Sequence, residues 1–98
     1  MAFVQTIEYS TTRIDEIRQL IDDFRASTEG STTVVRGTVC ADRDQPNRYV
    51  TIVEFPSYEE AMKNSQLPAT TALAEAIAKL VDGEPVFRNL DVVETFEP

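Results

Sequence analysis

The stretch from Arg48 to Pro68, RYVTIVEFPSYEEAMKNSQLP, decides the fold because a strand, a helix start and a helix break follow one another within it. β-branched and aromatic residues alternate over residues 48–55, a pattern typical of a strand. Both faces of this strand are mostly apolar. We therefore predict that it lies in the middle of a sheet.

The helix that follows has a distinct start and a distinct interruption. Ser57 and Glu60 form the S-x-x-E pattern that begins many helices, in which the serine hydroxyl accepts a backbone N–H. Proline lacks an N–H and disfavours helix in the residue before it, so we predict a break at Leu67-Pro68. A helical pattern padded with alanine resumes over residues 70–81.

A strand and a helix begin the chain. Residues 2–9 alternate with a period of two, which predicts the first strand. Thr12 with Asp15 is predicted to cap the next helix. That helix has an apolar stripe at helical spacing, made of Ile14, Ile17, Leu20, Ile21 and Phe24.

Two further strands complete the pattern. Residues 32–41 are predicted to form the second strand, in which Gly37 marks a bulge or a close approach to the backbone. Turn-forming residues 42–47 then connect it to the strand over 48–55, so these two strands are expected to be antiparallel neighbours. Residues 85–96 form the closing strand.

The order βαββαβ over residues 1–98 predicts a single α+β domain of the ferredoxin-like kind. Such a domain has a four-stranded antiparallel sheet with two helices on one face. Several strands are apolar on both sides, so the second face should also be covered. We predict a homodimer in which two sheets pack face to face.

Composition excludes several partners. The chain has a formal net charge of −8, which repels phosphate backbones and anionic bilayers, so neither nucleic acid nor a membrane is an expected partner. The N-terminus lacks the pattern of a secretory signal, and a cytoplasmic location is the default expectation.

The residue inventory excludes several kinds of chemistry. There is no histidine and a single cysteine, so the sequence supports neither a cysteine–histidine or serine–histidine pair nor a zinc cluster. Glycine-rich phosphate loops are absent as well, and we predict neither a metal nor another cofactor. Cys40 is either a nucleophile activated by a cation or, as we favour, a buried inert thiol.

Polar residues on predicted strands require an explanation, because a charge facing an apolar layer is costly unless it is paired. Arg36 and Arg88 could bind the carboxylate or phenolate of a ligand, or could form salt bridges with Glu8, Glu54 or Glu94. The complete set is Gln5, Arg36, Tyr49, Glu54, Arg88 and Asn89.

Three further residues are candidates for a site. Tyr49 could donate to a substrate oxygen, or it could simply pack in the sheet. Asn64 and Ser65 precede the helix break, where exposed N–H groups could hold an anion; alternatively, these two side chains cap the break.

These features together resemble the dimeric α+β barrel superfamily, particularly the small proteins similar to antibiotic-biosynthesis monooxygenases. The likeness covers nearly the whole chain. It lies in the third strand ending in VEF, the helix start over 57–61, the break over 64–68 and a closing strand rich in valine. Members of that superfamily include cofactor-free monooxygenases, haem-degrading enzymes and polyketide cyclases.

The expected ligand site is a pocket between the helices and the sheet, the usual place for one in a compact domain. Several members use a histidine near the helix break, and the monooxygenases often use a tryptophan and an asparagine. This chain has no histidine and no tryptophan, so Asn64 is the residue that would take the polar orienting role.

Two functions follow as hypotheses, and whether the chain is an enzyme stays open between them. In the first, the chain is a non-catalytic protein that binds a small apolar or aromatic molecule. In the second, implied by the resemblance, it is a cofactor-independent monooxygenase, cyclase or isomerase acting on an aromatic metabolite, with Asn64, Tyr49 and an arginine orienting it.

Overall fold

The fold is built around two central strands of a four-stranded antiparallel sheet. The computed structural model describes residues 2–98. Its elements are β1 (Phe3–Ser10), α1 (Ile14–Ser27), β2 (Arg36–Ala41), β3 (Arg48–Phe55), α2 (Tyr58–Ser65), α3 (Pro68–Ala78) and β4 (Asp82–Asp91). The strand order is β2-β3-β1-β4 with antiparallel neighbours throughout, which confirms the predicted ferredoxin-like βαββαβ arrangement.

The register of β1 and β3 places the largest aromatic side chains beneath the helices. Phe3 is opposite Phe55 at one end of the pair, and both side chains are buried. Tyr58 of α2 packs edge-on against Phe3, with ring centroids 5.3 Å apart. Because side chains alternate along a strand, every second residue from Phe3 faces the helices, and the residues between them face away.

Tyr9 lies at the other end of the sheet face that the helices cover. Its ring stacks on that of Tyr49, with centroids 6.0 Å apart, and its hydroxyl is hydrogen-bonded to Thr51 Oγ1 at 2.8 Å. Burial raises the pKa of Tyr9 above its ordinary value of 10.0, although the hydrogen bond with Thr51 opposes this effect.

This shift predicts a loss of stability in alkali. In the unfolded chain Tyr9 releases its proton near pH 10, whereas in the folded chain it keeps the proton to a higher pH. Between these two pKa values, deprotonation therefore stabilises the unfolded state, and the free energy of unfolding falls as pH rises. Below the unfolded pKa the contribution of Tyr9 is constant. We expect the free energy of unfolding in urea to fall more steeply above about pH 10 for the wild type than for Tyr9→Phe. Equal slopes for wild type and Tyr9→Phe would contradict the assignment.

The second helical region is divided as predicted. Ser57 Oγ accepts from the backbone N–H of Glu60 at 3.2 Å, so the predicted cap is confirmed. Pro68 is the first residue of α3. The break satisfies backbone groups locally, since the N–H groups of Gln66 and Leu67 donate to the carbonyls of Lys63 and Asn64.

The predicted cap of α1 is wrong. Arg13 occupies the cap position and makes no capping bond through its side chain. The buried hydroxyl of Thr11 accepts from the Arg13 N–H at 2.9 Å and donates to the Leu80 carbonyl at 2.6 Å. Thr11 replaces Thr12 because it can satisfy the start of α1 and the end of the α3 region together.

Two strand boundaries and one bulge also differ from the prediction. β2 begins at Arg36 rather than residue 32, and β4 ends at Asp91 rather than residue 96. No bulge interrupts the pairing of β2 with β3. Apart from Gly37 and its two chain neighbours, no atom of residues 2–98 lies within 4 Å of where a Cβ on Gly37 would be. The predicted bulge is therefore wrong, and close approach of a ligand or a second chain to Gly37 stays a prediction.

In the part of the chain that the structure describes, no helix or loop covers the sheet surface opposite the helices, and we call this surface the bare face. Cys40 lies on this face and is exposed. The prediction of a buried thiol is therefore wrong for a single copy of the chain. Val86 and Leu90 are 42% and 45% exposed on the same surface. By alternation, the bare face comprises Val4, Thr6, Glu8, Ser10, Arg36, Thr38, Cys40, Arg48, Val50, Ile52, Glu54, Val86, Arg88 and Leu90. Within residues 2–98, the helices are too short or too polar to span a membrane.

Candidate functional site

A cavity of about 200 Å³ lies between the sheet and the helix break. Phe3 and Phe55 of the sheet, with Tyr58, Ala61 and Met62 of α2, form its apolar walls. A cavity of about 150 Å³ with apolar walls is enough to hold benzene. This cavity therefore has room for a single substituted ring.

Polar side chains interrupt the apolar walls at a few points. Gln5 and Asn89 contribute from the sheet, Asn64 and Ser65 from α2, and Thr70 from α3. All five are uncharged. Neither they nor the apolar lining residues carry a formal charge at neutral pH, so this cavity offers hydrogen bonds without an ionic partner.

Asn64 is the most firmly held of these groups. Its side chain is 6% exposed, and its Oδ1 accepts from Thr32 Oγ1 at 2.9 Å. Thr32 Oγ1 itself accepts from the backbone N–H of Val34, so its own proton is available to Asn64. Among residues 2–98, none accepts from Asn64 Nδ2. Its two N–H donors thus remain available on a residue that lines the cavity.

The loop before β2 is what fixes α2 in this position. Thr32 binds Asn64, and Thr33 Oγ1 donates to the carbonyl of Glu60 at 2.6 Å. These bonds explain why residues 32–35 leave the predicted strand. β-branched residues favour strands, but here the two threonine side chains are directed to a helix instead.

Gln5 and Asn89 form a second polar unit in the cavity wall. They are direct partners across β1 and β4, and Gln5 Nε2 donates to Asn89 Oδ1 at 3.1 Å. A carboxamide carries both donors and an acceptor, so this bond leaves Gln5 with its carbonyl oxygen and Asn89 with its amide donors. The pair therefore offers the cavity both kinds of hydrogen bond.

Thr70 has an unusual hydroxyl. Its Oγ1 is buried and has no hydrogen-bond partner among the described residues. Most buried polar atoms are paired, and an unpaired one costs about 1–3 kcal/mol. Thr70 also lines the cavity. Rotation about its χ1 angle would exchange the positions of its hydroxyl and methyl groups.

Two of the predicted site residues lie together on the cavity wall. Asn64 and Ser65 both line it, and Ser65 Oγ donates to the Met62 carbonyl at 2.7 Å. The Ser65 bond satisfies a carbonyl in the last turn of α2, so the capping alternative holds for Ser65, whereas the Asn64 side chain bonds to Thr32 instead. The proposed anion site at the break has little to support it, because the N–H groups of Gln66 and Leu67 are already bonded.

Tyr49 is separated from these residues. It lies six residues before Phe55 on β3, which corresponds to about 20 Å along the strand. Its ring packs on Tyr9, as the packing alternative predicted. Tyr49 and Asn64 therefore do not meet in one cavity.

The two arginines lie on the bare face, away from the cavity. Arg36 is paired with Glu54 at 2.8 Å, and Arg88 is paired with Glu8 at 3.0 Å. The salt-bridge alternative is confirmed for both. Ligand binding by either arginine remains a prediction, and it would have to occur on a different surface from Asn64.

Sequence patterns identify part of this site. Asn64 and Ser65 follow from the helix break, and Gln5 and Asn89 stand out as polar residues on strands. Thr70 was missed. The available signal was its position two residues after Pro68, where a helix begins again at the edge of the sheet.

Comparison with solved structures identifies the architecture around this cavity. SnoaB, a cofactor-independent oxygenase from Streptomyces nogalater crystallised in an asparagine-to-alanine variant, superimposes with a TM-score of 0.83. It is 16% identical, and the match covers 99% of this chain and 98% of SnoaB. This chain shares the fold of SnoaB.

Other proteins with this fold match over similar lengths. An antibiotic biosynthesis monooxygenase is 18% identical with a TM-score of 0.74, covering 96% of this chain and 100% of its own. Rv0793 from Mycobacterium tuberculosis is 10% identical with a TM-score of 0.79, covering 99% and 100%. No protein-family profile matches the chain, and no curated protein matches it in sequence. The predicted resemblance is therefore confirmed for the fold, which hosts many functions.

Proposed function

We propose that this chain binds a small, mostly apolar molecule of about one ring in the cavity between its sheet and α2. The observation that carries the proposal is Asn64, a buried side chain on the cavity wall whose amide donors have no partner among residues 2–98. Ligand sites usually combine apolar walls with a few well-placed polar groups, and this cavity has that composition. Ser65 is a neighbouring contact, although its hydroxyl already bonds to Met62.

We further propose that the chain acts as a homodimer joined through the bare face. Val86 and Leu90 leave apolar surface there, while the charges of Arg36 and Arg88 are neutralised by Glu54 and Glu8. Paired charges cost less to bury than isolated ones. A second copy of the same sheet would cover this surface symmetrically.

Oxygenation without a cofactor is the second candidate function. It is favoured by the fold shared with SnoaB, and by an asparagine placed on the cavity wall. In such a reaction no cofactor supplies electrons to O₂, so the substrate itself supplies them. Asn64 Nδ2 would hydrogen-bond to the substrate oxygen on which negative charge develops. Dioxygen uptake in the presence of a bound oxidisable ring compound, lost in Asn64→Ala, would distinguish this function from binding alone.

Filling the cavity tests the binding proposal. Ala61 lines the cavity, so Ala61→Phe should occupy it and remove the rise in melting temperature that single-ring compounds give to the wild type. A ligand at 100 times its Kd stabilises by about 2.7 kcal/mol, which thermal shift measures readily. Ala72→Phe makes the same change at an exposed position of α3 and should leave the response intact.

Circular dichroism establishes that both variants fold before the ligands are added, because overpacking itself costs about 1–3 kcal/mol. If Ala61→Phe folds and still shows the full ligand response, the ligand binds elsewhere and the proposed site is wrong.

A further inference from the structure

The cavity contains three carboxamides and no charged group. Gln5 and Asn89 lie on the sheet, and Asn64 lies across from them on α2. We call these three residues the carboxamide cluster. They are brought together from β1, β4 and α2, which are distant in sequence, so the cluster exists only in the folded chain.

Each member of the cluster keeps hydrogen-bonding capacity. Asn64 uses its oxygen for Thr32 and retains both amide donors. The bond between Gln5 and Asn89 uses one donor and one acceptor of the pair. Exchanging O and N in both amides would reverse the bond but leave the pair with the same number of free donors and acceptors. The donors of Asn64 and of the Gln5–Asn89 pair are therefore available to an oxygen acceptor on a ligand.

The electrostatic surroundings disfavour an anion. The chain has a formal net charge of −8, and the lining residues include no cation. Arg36 and Arg88 are committed to Glu54 and Glu8 on the opposite face of the sheet. A carboxylate entering the cavity would lose its hydration without gaining an ionic partner, which is costly.

We infer that the carboxamide cluster makes the cavity selective for a neutral ring that carries a carbonyl oxygen, and that the cavity rejects the corresponding carboxylate. This inference rests on the proposed binding function. It adds the chemical class of the ligand, and it assigns Gln5 and Asn89 to ligand recognition together with Asn64.

Three probes of nearly the same shape test it. Acetophenone carries the carbonyl, α-methylstyrene replaces its oxygen with a CH₂ group, and benzoate replaces its methyl group with a charged oxygen. Binding of each is followed by chemical-shift changes in the NMR spectrum of the full chain at neutral pH. We expect acetophenone to bind at least about tenfold more tightly than benzoate.

The variant Asn64→Leu keeps the approximate size of the side chain and removes its donors. It also removes the oxygen that accepts from Thr32, so circular dichroism establishes that the variant folds before binding is measured. We expect it to weaken acetophenone binding about five- to tenfold, the effect of one hydrogen bond, without weakening α-methylstyrene. Gln66→Leu, at an exposed residue beside the break that does not line the cavity, should change neither. Asn89→Leu tests the sheet side of the cluster in the same way, and its more exposed position reduces the risk of misfolding.

The outcomes separate the two proposals. If none of the probes binds, the binding function is wrong for rings of this size. If α-methylstyrene and acetophenone bind and both respond alike to Asn64→Leu and Asn89→Leu, the binding function stands and the selectivity is overturned. Benzoate binding as tightly as acetophenone would also overturn it.

Discussion

Replacing Phe3 with alanine is expected to lower the free energy of unfolding by about 3–5 kcal/mol. Phe3 is 5% exposed, and its ring contacts those of Phe55 at 6.3 Å and Tyr58 at 5.3 Å. The change therefore removes the aromatic contact that joins β1, β3 and α2. A domain of this size has a total stability of about 5–15 kcal/mol, so the loss is a large fraction of it.

Urea unfolding at a fixed protein concentration measures this effect, because the stability of a dimer depends on concentration. Phe96→Ala makes the same substitution at a side chain that is 84% exposed beyond β4. It should change the free energy of unfolding by less than about 0.5 kcal/mol. A loss below about 1 kcal/mol for Phe3→Ala would show that the β1–α2 contact is not part of the core.

The second large effect is expected at the bare face. Leu90→Asp places a carboxylate where the homodimer proposal requires apolar contact, and the symmetry of a dimer introduces the charge twice. Leu90 pairs with Val4 across β4 and β1, and its side chain lies beside that of Val4 on the bare face, where it is 45% exposed. Burying an unpaired carboxylate costs several kcal/mol, and we expect the dimer to weaken by at least about 100-fold.

Light scattering at micromolar concentration measures the mass of each variant. The wild type should have the mass of a dimer, and Leu90→Asp the mass of a monomer. Ala72→Asp adds the same charge at an exposed position on the helical layer and should remain dimeric. A monomeric wild type would refute the proposed pairing, and a dimeric Leu90→Asp would place the interface on another surface.

Regular patterns predicted the sheet and the break in the second helix. Alternation over β1 and β3 determines which residues face the helices, and Pro68 has a local effect that no tertiary contact needs to supply. Ser57 is a similar case, since a capping serine acts within one helical turn. Features with local causes are therefore the ones that the sequence predicts well.

The errors arose where distant residues compete for local groups. Thr11 rather than Thr12 is used at α1, because Leu80 provides a carbonyl for it. Thr32 and Thr33 leave the strand pattern because α2 accepts their hydrogen bonds. Neither partner can be found from the residues immediately around the threonines.

The site was predictable only in part for the same reason. Asn64 could be found from the helix break, whereas its place on the same cavity wall as Gln5 and Asn89 depends on the register of β1 with β4 and on the position of α2. Arg36 and Arg88 were plausible ligand contacts until the register placed them on the bare face beside carboxylates.

The edge-on contact between Tyr58 and Phe3 also gives the chain an internal optical reporter. The sequence contains no tryptophan and three tyrosines, and Tyr9 and Tyr49 stack together at the far end of the sheet. Tyr58 alone lines the cavity. Emission from this one phenol can therefore report occupancy without a label, and the Tyr58→Phe variant supplies the blank spectrum against which the signal is read.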